Sequence, residues 1–262
     1  MDNQQGQPTA VQNPVVQNQS SDLPPVVRLF SDAWNLFRKK MRSVFRLAVY
    51  AFLLQFALSI VALLVGFAGL TGAMTSTSGD ATIGGSIAGV SGILLVALLV
   101  VYVLLYAWIQ GAFILLFSKE EAEPNIRMVI TEAKQFIWPL WWASILVVFV
   151  VMVGMFLLVI PGIIFAIWFS FTTMIVVLEG LRGTDAMRKS KSYVQGRWWG
   201  VFGRLILLSI AIGIASSIVD KIFGSFGSYS GALFSSLATA FIFTPFAIAY
   251  QYLFYRSISH PK

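Results

Sequence analysis

Apolar residues run in long blocks through this chain, separated by short segments in which they recur every three or four positions. The blocks lie at about 44–70, 92–117, 140–160, 161–179, 200–219 and 232–255. Each is close to or above the roughly 20 residues that cross a bilayer core. From Leu140 to Leu178 there is no charged residue. That run is too long for one span and suits two, divided at Ile160-Pro161-Gly162, because proline opens a helix well and Pro-Gly marks a turn. The pattern predicts an all-α membrane protein with six transmembrane helices over residues 25–258, and Pro161 and Gly162 as the turn of a tight hairpin.

The segments between blocks read differently. In VVRLFSDAWNLFRKKMRS, Leu29, Phe30, Ala33, Phe37, Met41 and Val44 share one helical face while Arg38, Lys39, Lys40 and Arg42 fill the other. This is the pattern of an amphipathic helix lying in a membrane interface. A second such segment places Ile126, Val129, Ile130, Ala133 and Phe136-Ile137 on one face. The third, GTDAMRKSKSYVQGRWWG, reads as a helix capped by Thr184 and stopped by Gly196. Its Met187 and Val194 are expected to face lipid, with Arg188, Lys189 and Lys191 toward headgroup phosphates. Trp198 and Trp199, like Trp138, Trp141 and Trp142, are expected to mark the headgroup level.

Charge orients this plan. If the N-terminus lies inside, every basic residue of the 18 except Lys221 falls in a segment on the inner side. The positive-inside rule makes that side cytoplasmic and predicts both termini there, in a bacterial plasma (inner) membrane. A net charge of +7 so distributed points to anionic membrane lipid and not to nucleic acid. Only 11% of residues are charged, against about a quarter in a soluble domain, so a water-soluble protein is excluded. Residues 1–24 are rich in Gln, Asn, Pro and Ser and lack the positive and apolar regions of a secretory signal; they read as a disordered cytoplasmic tail. Residues 259–262 form a short cytoplasmic end, and the lone histidine, His260, reads as solvated.

Leu29-Phe30-Ser31-Asp32-Ala33 aligns class for class with Val129-Ile130-Thr131-Glu132-Ala133, and Leu36-Phe37 with Phe136-Ile137. Thr184-Asp185-Ala186 supplies a weaker third copy. The expectation is three parallel repeats, each an interfacial helix, a span out and a span back.

Candidate chemistry is sparse. Gln55, Gln110 and Gln251 lie in spans one, two and six, and read either as the lining of a polar cavity or as interhelical hydrogen bonding. Ser209, Gly213 and Ser217 read as a small-residue packing face within the bundle. Glu179 and Arg204 stand near span ends and read either as functional charges within the spans or as groups that reach the inner interface, Glu179 with Arg182 one turn away as a partner. No cysteine is present, no mid-span carboxylate pair appears, and neither a nucleophile–base pair nor a metal-ligand spacing is seen. No catalytic residue, cofactor or metal is therefore expected.

The stretch LLVIPGIIFAIWFSFTTMIVVLEGLRGTDAMRKSKSYVQGRWWGVFG resembles a family of poorly characterised bacterial six-span membrane proteins, related to the membrane domain sometimes fused to glycerophosphodiester phosphodiesterases. The resemblance rests on Ile160-Pro161-Gly162 opening a span, then on Ala186, Ser190, Gly196 and Trp198. It implies a fold and no catalytic residues; no phosphodiesterase domain is expected in the 262 residues. Two functions stay open. One is a non-catalytic protein that organises anionic lipid or a partner protein at the cytoplasmic face, through Arg38, Lys39, Lys40, Arg188, Lys189, Lys191, Trp198 and Trp199. The other is a transporter or channel for a solute, using the three glutamines.

Overall fold

The structure, a computed structural model, describes residues 23–78, 81–225 and 234–259, with side chains at all of these except 76–78 and 81–83. The tail over 1–22, most of the loop before the sixth span, and His260 lie outside the described residues. Among the described residues the fold is all α-helical. Six stretches are long and apolar enough to cross a membrane: Met41–Thr75, Gly84–Ser118, Ile126–Leu157, Val159–Leu178, Trp198–Gly224 and Phe234–Ser259. This is a multi-pass, six-span membrane protein.

Helix α1 (Val26–Lys39) is amphipathic and is followed after one residue by α2 (Met41–Ser78), which pairs lengthwise with α3 (Ala81–Ser118). A short helix, α4 (Ile126–Ala133), is N-capped by Asn125, whose side chain accepts from the Arg127 N–H. A single 3₁₀ turn leads from it into α5 (Ile137–Leu157). The return span is broken in two, α6 (Val159–Trp168) and α7 (Thr172–Leu178). Then come the amphipathic α8 (Gly183–Val194), the long α9 (Trp198–Gly224), a π-helical turn (Thr239–Phe243) and α10 (Thr244–Ser259). The π turn has a local cause: Pro245, just beyond it, has no N–H to give the carbonyl four residues back.

The three amphipathic helices occupy equivalent places. Ala33, Ala133 and Ala186, the positions matched in the repeat, are each 0% exposed. At these points α1 packs on α10, α4 on α3 and α8 on α7. Each amphipathic helix therefore lies against the return span of the unit before it, and α1 on α10 closes the ring between the two ends of the chain. Rings define that closure: Phe30 lies 4.9 Å from Tyr250, and Phe37 lies 6.5 Å from Phe246. Trp108 on α3 fixes the second contact by donating from its indole to the Ile130 carbonyl at 3.0 Å. The core sits at this end, where the last turns of the three return spans meet: Ala112 to Phe117, Phe171 to Val177, and Ile248 to Ile258. Away from it, the long helices present Leu63, Val96, Phe149 and Ile214 outward, as helices in hydrocarbon do.

Two local expectations are corrected. The hairpin between the third and fourth spans reverses at Leu158, which alone is extended (φ −161°, ψ 142°), and Pro161 and Gly162 sit within the first turns of α6. Gly162 has a different task. A Cβ there would lie 2.8 Å from the backbone nitrogen of Met155 and 2.9 Å from its Cα, while one on Gly154 would lie 3.1 Å from the Cα of Gly162. The two glycines let the backbones cross. Second, Ser209, Gly213 and Ser217 make no packing face inside the chain; all three are exposed, and nothing lies within 4 Å of a Cβ at Gly213.

Gly162→Ala should force α5 and α6 apart and destabilise the protein by about 1–3 kcal/mol, the usual range for overpacking. A clear fall in the midpoint of thermal unfolding in detergent is expected, whereas Gly213→Ala, with open space at its Cβ in a helix interior, should not lower it.

Candidate functional site

The basic end of the bundle carries the polar side chains, and three of them hold backbone at places where helices start or stop. α1 ends at Lys39 and α2 begins at Met41, so Lys40 is a hinge (φ −104°, ψ 13°) and the helical phase shifts there. The shift turns Lys40 inward and Met41 outward, opposite to the face expected from unbroken periodicity. Lys40 is 2% exposed. Its ammonium donates to the Leu116 carbonyl at 2.7 Å and to the Lys119 carbonyl, two acceptors left over where α3 ends. It is thus a structural cap and not a surface contact for lipid. Burial lowers its pKa from 10.5 to about 8.

Ser190 closes a second gap. Between α6 and α7 its hydroxyl donates to the Trp168 carbonyl at 2.7 Å and accepts from the Phe171 N–H at 3.2 Å. A broken span in an apolar bundle needs such partners for its freed backbone groups. Arg204 closes the third: its guanidinium bonds the carbonyls of Leu23 and Pro24 at 3.1 and 2.8 Å, and that of Gly200 at 2.9 Å. It ties the entry to α1 onto α9. Nothing in the local sequence of Lys40, Ser190 or Arg204 announces these partners, which lie far away along the chain.

Glu179 is held by tyrosines instead of Arg182. Its carboxylate accepts from the Tyr193 hydroxyl at 2.9 Å and the Tyr255 hydroxyl at 2.5 Å, joining α7, α8 and α10. Burial and the carboxylate raise the Tyr193 pKa to about 12. Helix α7 stops at Leu178 and Gly180 takes φ 71°, so Arg182 is no longer one helical turn away.

α8 also departs from expectation. It begins at Gly183, so Thr184 is inside it, and no side chain caps its start. Met187 and Val194 are buried together with Ala186 and Ser190, facing the core and not lipid. Gly196 does stop the helix, with φ 84°. Arg38, Lys39, Arg188 and Lys189 point outward. Arg188 reaches Asp185 at 4.0 Å, both exposed, a contact worth little. Arg38, Lys39 and Lys189 have no ion pair among the described residues. Lys189 lies over Tyr193 and Lys191 over Trp168, 4.2 Å from the ring centre in the second case.

Trp198 and Trp199 differ. Trp199 is 78% exposed, whereas Trp198 is half-buried and stacked on Phe202 at 5.1 Å, with an indole N–H that is shielded from solvent and unpartnered among the described residues. Both line a groove of about 570 Å³ with Ile160, Ile163, Ile164 and Trp168 of α6, and with Gln195, Gly196 and Phe202 of the α8–α9 corner.

Gln55 and Gln110 meet at a cavity of about 90 Å³ between α2, α3 and the π turn, with Tyr106, Ala240 and Thr244 in its wall. Gln110 donates to the Tyr106 hydroxyl at 2.7 Å. Gln251 is not part of that wall. Among the described residues no group of three or more His, Asp or Glu side chains is placed to hold a metal ion.

Residues 134–258 match a family described as a domain of unknown function (DUF7847). The match covers just under half of the 262 residues, from α5 to α10. No curated protein and no solved structure matches the chain.

Ser190→Ala should cost about 1–3 kcal/mol, because it strands two buried backbone groups, while Ser192→Ala on the outer face of α8 should be silent; thermal unfolding in detergent separates them. For Lys40 the sign follows from its lowered pKa. Between about 8 and 10.5 the unfolded chain holds this proton and the folded chain has released it, so the lysine's contribution to stability rises with pH there. The midpoint of unfolding, followed from pH 7.5 to 10, should lose that upward component in Lys40→Met.

Proposed function

We propose that this protein is non-catalytic and organises anionic lipid, or a partner protein bearing acidic groups, at the cytoplasmic face of a bacterial plasma membrane. The supporting observation is the way the three amphipathic helices are seated. Each buries an alanine-centred face on the core, and α1 and α8 are left with basic residues directed away from it. Arg38, Lys39, Arg188 and Lys189 are then exposed to anionic groups, and each such residue near an anionic surface is worth about 1 kcal/mol. In this reading both termini are cytoplasmic, and the relation to the membrane domain of glycerophosphodiester phosphodiesterases is one of fold.

A second reading, passage of a solute, is favoured by one observation: Gln55 and Gln110 share a cavity beside a π-helical turn, a feature frequent at functional sites. Size weighs against it. About 90 Å³ takes a few water molecules, whereas small-molecule pockets run to roughly 300–1,000 Å³.

Native mass spectrometry of the gently extracted protein tests the choice. Wild type should retain anionic phospholipid or a co-purifying acidic protein, and neutralising Arg38, Lys39, Arg188 and Lys189 to glutamine should reduce retention more than tenfold. Unchanged retention, with flux in reconstituted vesicles abolished by Gln55→Leu and Gln110→Leu, would overturn the first reading in favour of the second.

A further inference from the structure

The groove between α6 and the α8–α9 corner has a composition that selects its occupant. Its walls are isoleucines and aromatic rings, and its volume of about 570 Å³ falls within the range of ligand sites. It opens sideways, since Ile160 and Trp199 are exposed. Across it the spans barely touch, and α9 is lightly held elsewhere, with Val201 and Leu208 as its buried residues. In a bilayer, a sideways-open apolar groove of this kind is filled by hydrocarbon.

One end of the groove is not apolar in its surroundings. Lys191 lies 4.2 Å over the ring of Trp168, a wall residue, and Arg197 stands between the wall residues Gly196 and Trp198. Neither cation has an ion pair among the described residues. Both precede α9, outside the spanning stretches, where headgroup phosphates lie. Apolar walls with two cations free of ion pairs at their end match an acyl chain and a phosphate.

We propose that this groove holds one acyl chain of an anionic phospholipid of the cytoplasmic leaflet, with its phosphate bound by Lys191 and Arg197. The proposal rests on the lipid reading above and gives it a site distinct from the open basic faces of α1 and α8. A second copy of this chain would need a complementary apolar ridge to fill the same space.

The site is testable by placing the photoreactive residue p-benzoylphenylalanine at Ile163, inside the groove, and separately at Ile160 in the same groove and at Leu63 on the outward face of α2. The full chain is reconstituted in nanodiscs of equal phosphatidylglycerol and phosphatidylcholine, illuminated, and weighed intact. Adducts at positions 160 and 163 should favour phosphatidylglycerol severalfold, whereas those at 63 should follow the bulk mixture. Lys191→Gln combined with Arg197→Gln should bring the groove ratio down to the bulk value. Groove adducts that already follow the bulk mixture in wild type, or that join two copies of the chain, would overturn the proposal. If lipid retention still depends on Arg38, Lys39, Arg188 and Lys189, the groove alone is lost; if nothing anionic is retained by any form, the lipid reading falls with it.

Discussion

A backbone carbonyl or amide left free in an apolar bundle has no water to turn to, and the arrangement of this protein follows from how those groups are satisfied. Helices start or stop at several places near the basic end, and at three of them a polar side chain from elsewhere in the chain completes the bonding. Lys40 takes up carbonyls at the end of α3, Ser190 bridges the gap between α6 and α7, and Arg204 holds the two residues that lead into α1. Each bond also fixes a neighbour: Ser190 sets α8 across the broken span, and Arg204 joins the first unit to the third. Removing such a partner exposes a desolvated group at a cost of about 1–3 kcal/mol. That is more than most exposed ion pairs here are worth, such as those of Arg42 and Arg46 with Glu123.

The threefold arrangement gives these bonds their setting. α4 and α8 lie near the return spans they follow for reasons of chain connection alone, but α1 has no span before it. It packs on α10, more than 200 residues away, so the ring closes through tertiary contact, with Phe30 against Tyr250. The small residue at the centre of each amphipathic helix is what permits the close seat, because any longer side chain at Ala33, Ala133 or Ala186 would meet the core. The charged faces of α1 and α8 point outward as a consequence of that packing.

The six spans were legible because hydrocarbon imposes length and composition on every crossing helix, and neither depends on which neighbours the helix acquires. The three alanines were legible for a related reason, since a seat repeated three times leaves a repeated pattern. What lay beyond reach depended on distant partners. The run Arg38, Lys39, Lys40, Arg42 contains four similar cations, and only the end of α3, 76 residues later, decides that the third goes inward. Met187 and Val194 would face lipid if α8 lay flat in an interface with that face outward, whereas the gap in the fourth span draws the face into the core. The gap itself, at 169–171, has no proline or glycine to mark it. Conversely, Pro161 and Gly162 marked a turn strongly, and the reversal came three residues earlier because a proline within the first turn of a helix is as comfortable as one before it.

These packing differences bear on the two functional readings. A transport path through the Gln55–Gln110 cavity would have to widen between α2 and α3, the most extensively paired helices in the molecule, or by displacing the π turn against them. The first would undo a long apolar seam; the second would disturb Pro245 and the start of α10, on which α1 and the ring closure depend. The groove beside α9 asks for nothing of the kind. It is open at rest, and the cations at its end already stand without ion pairs among the described residues. The lipid role proposed above therefore asks for less rearrangement of the packed helices than the transport role does, and that difference in cost is the physical ground for preferring it.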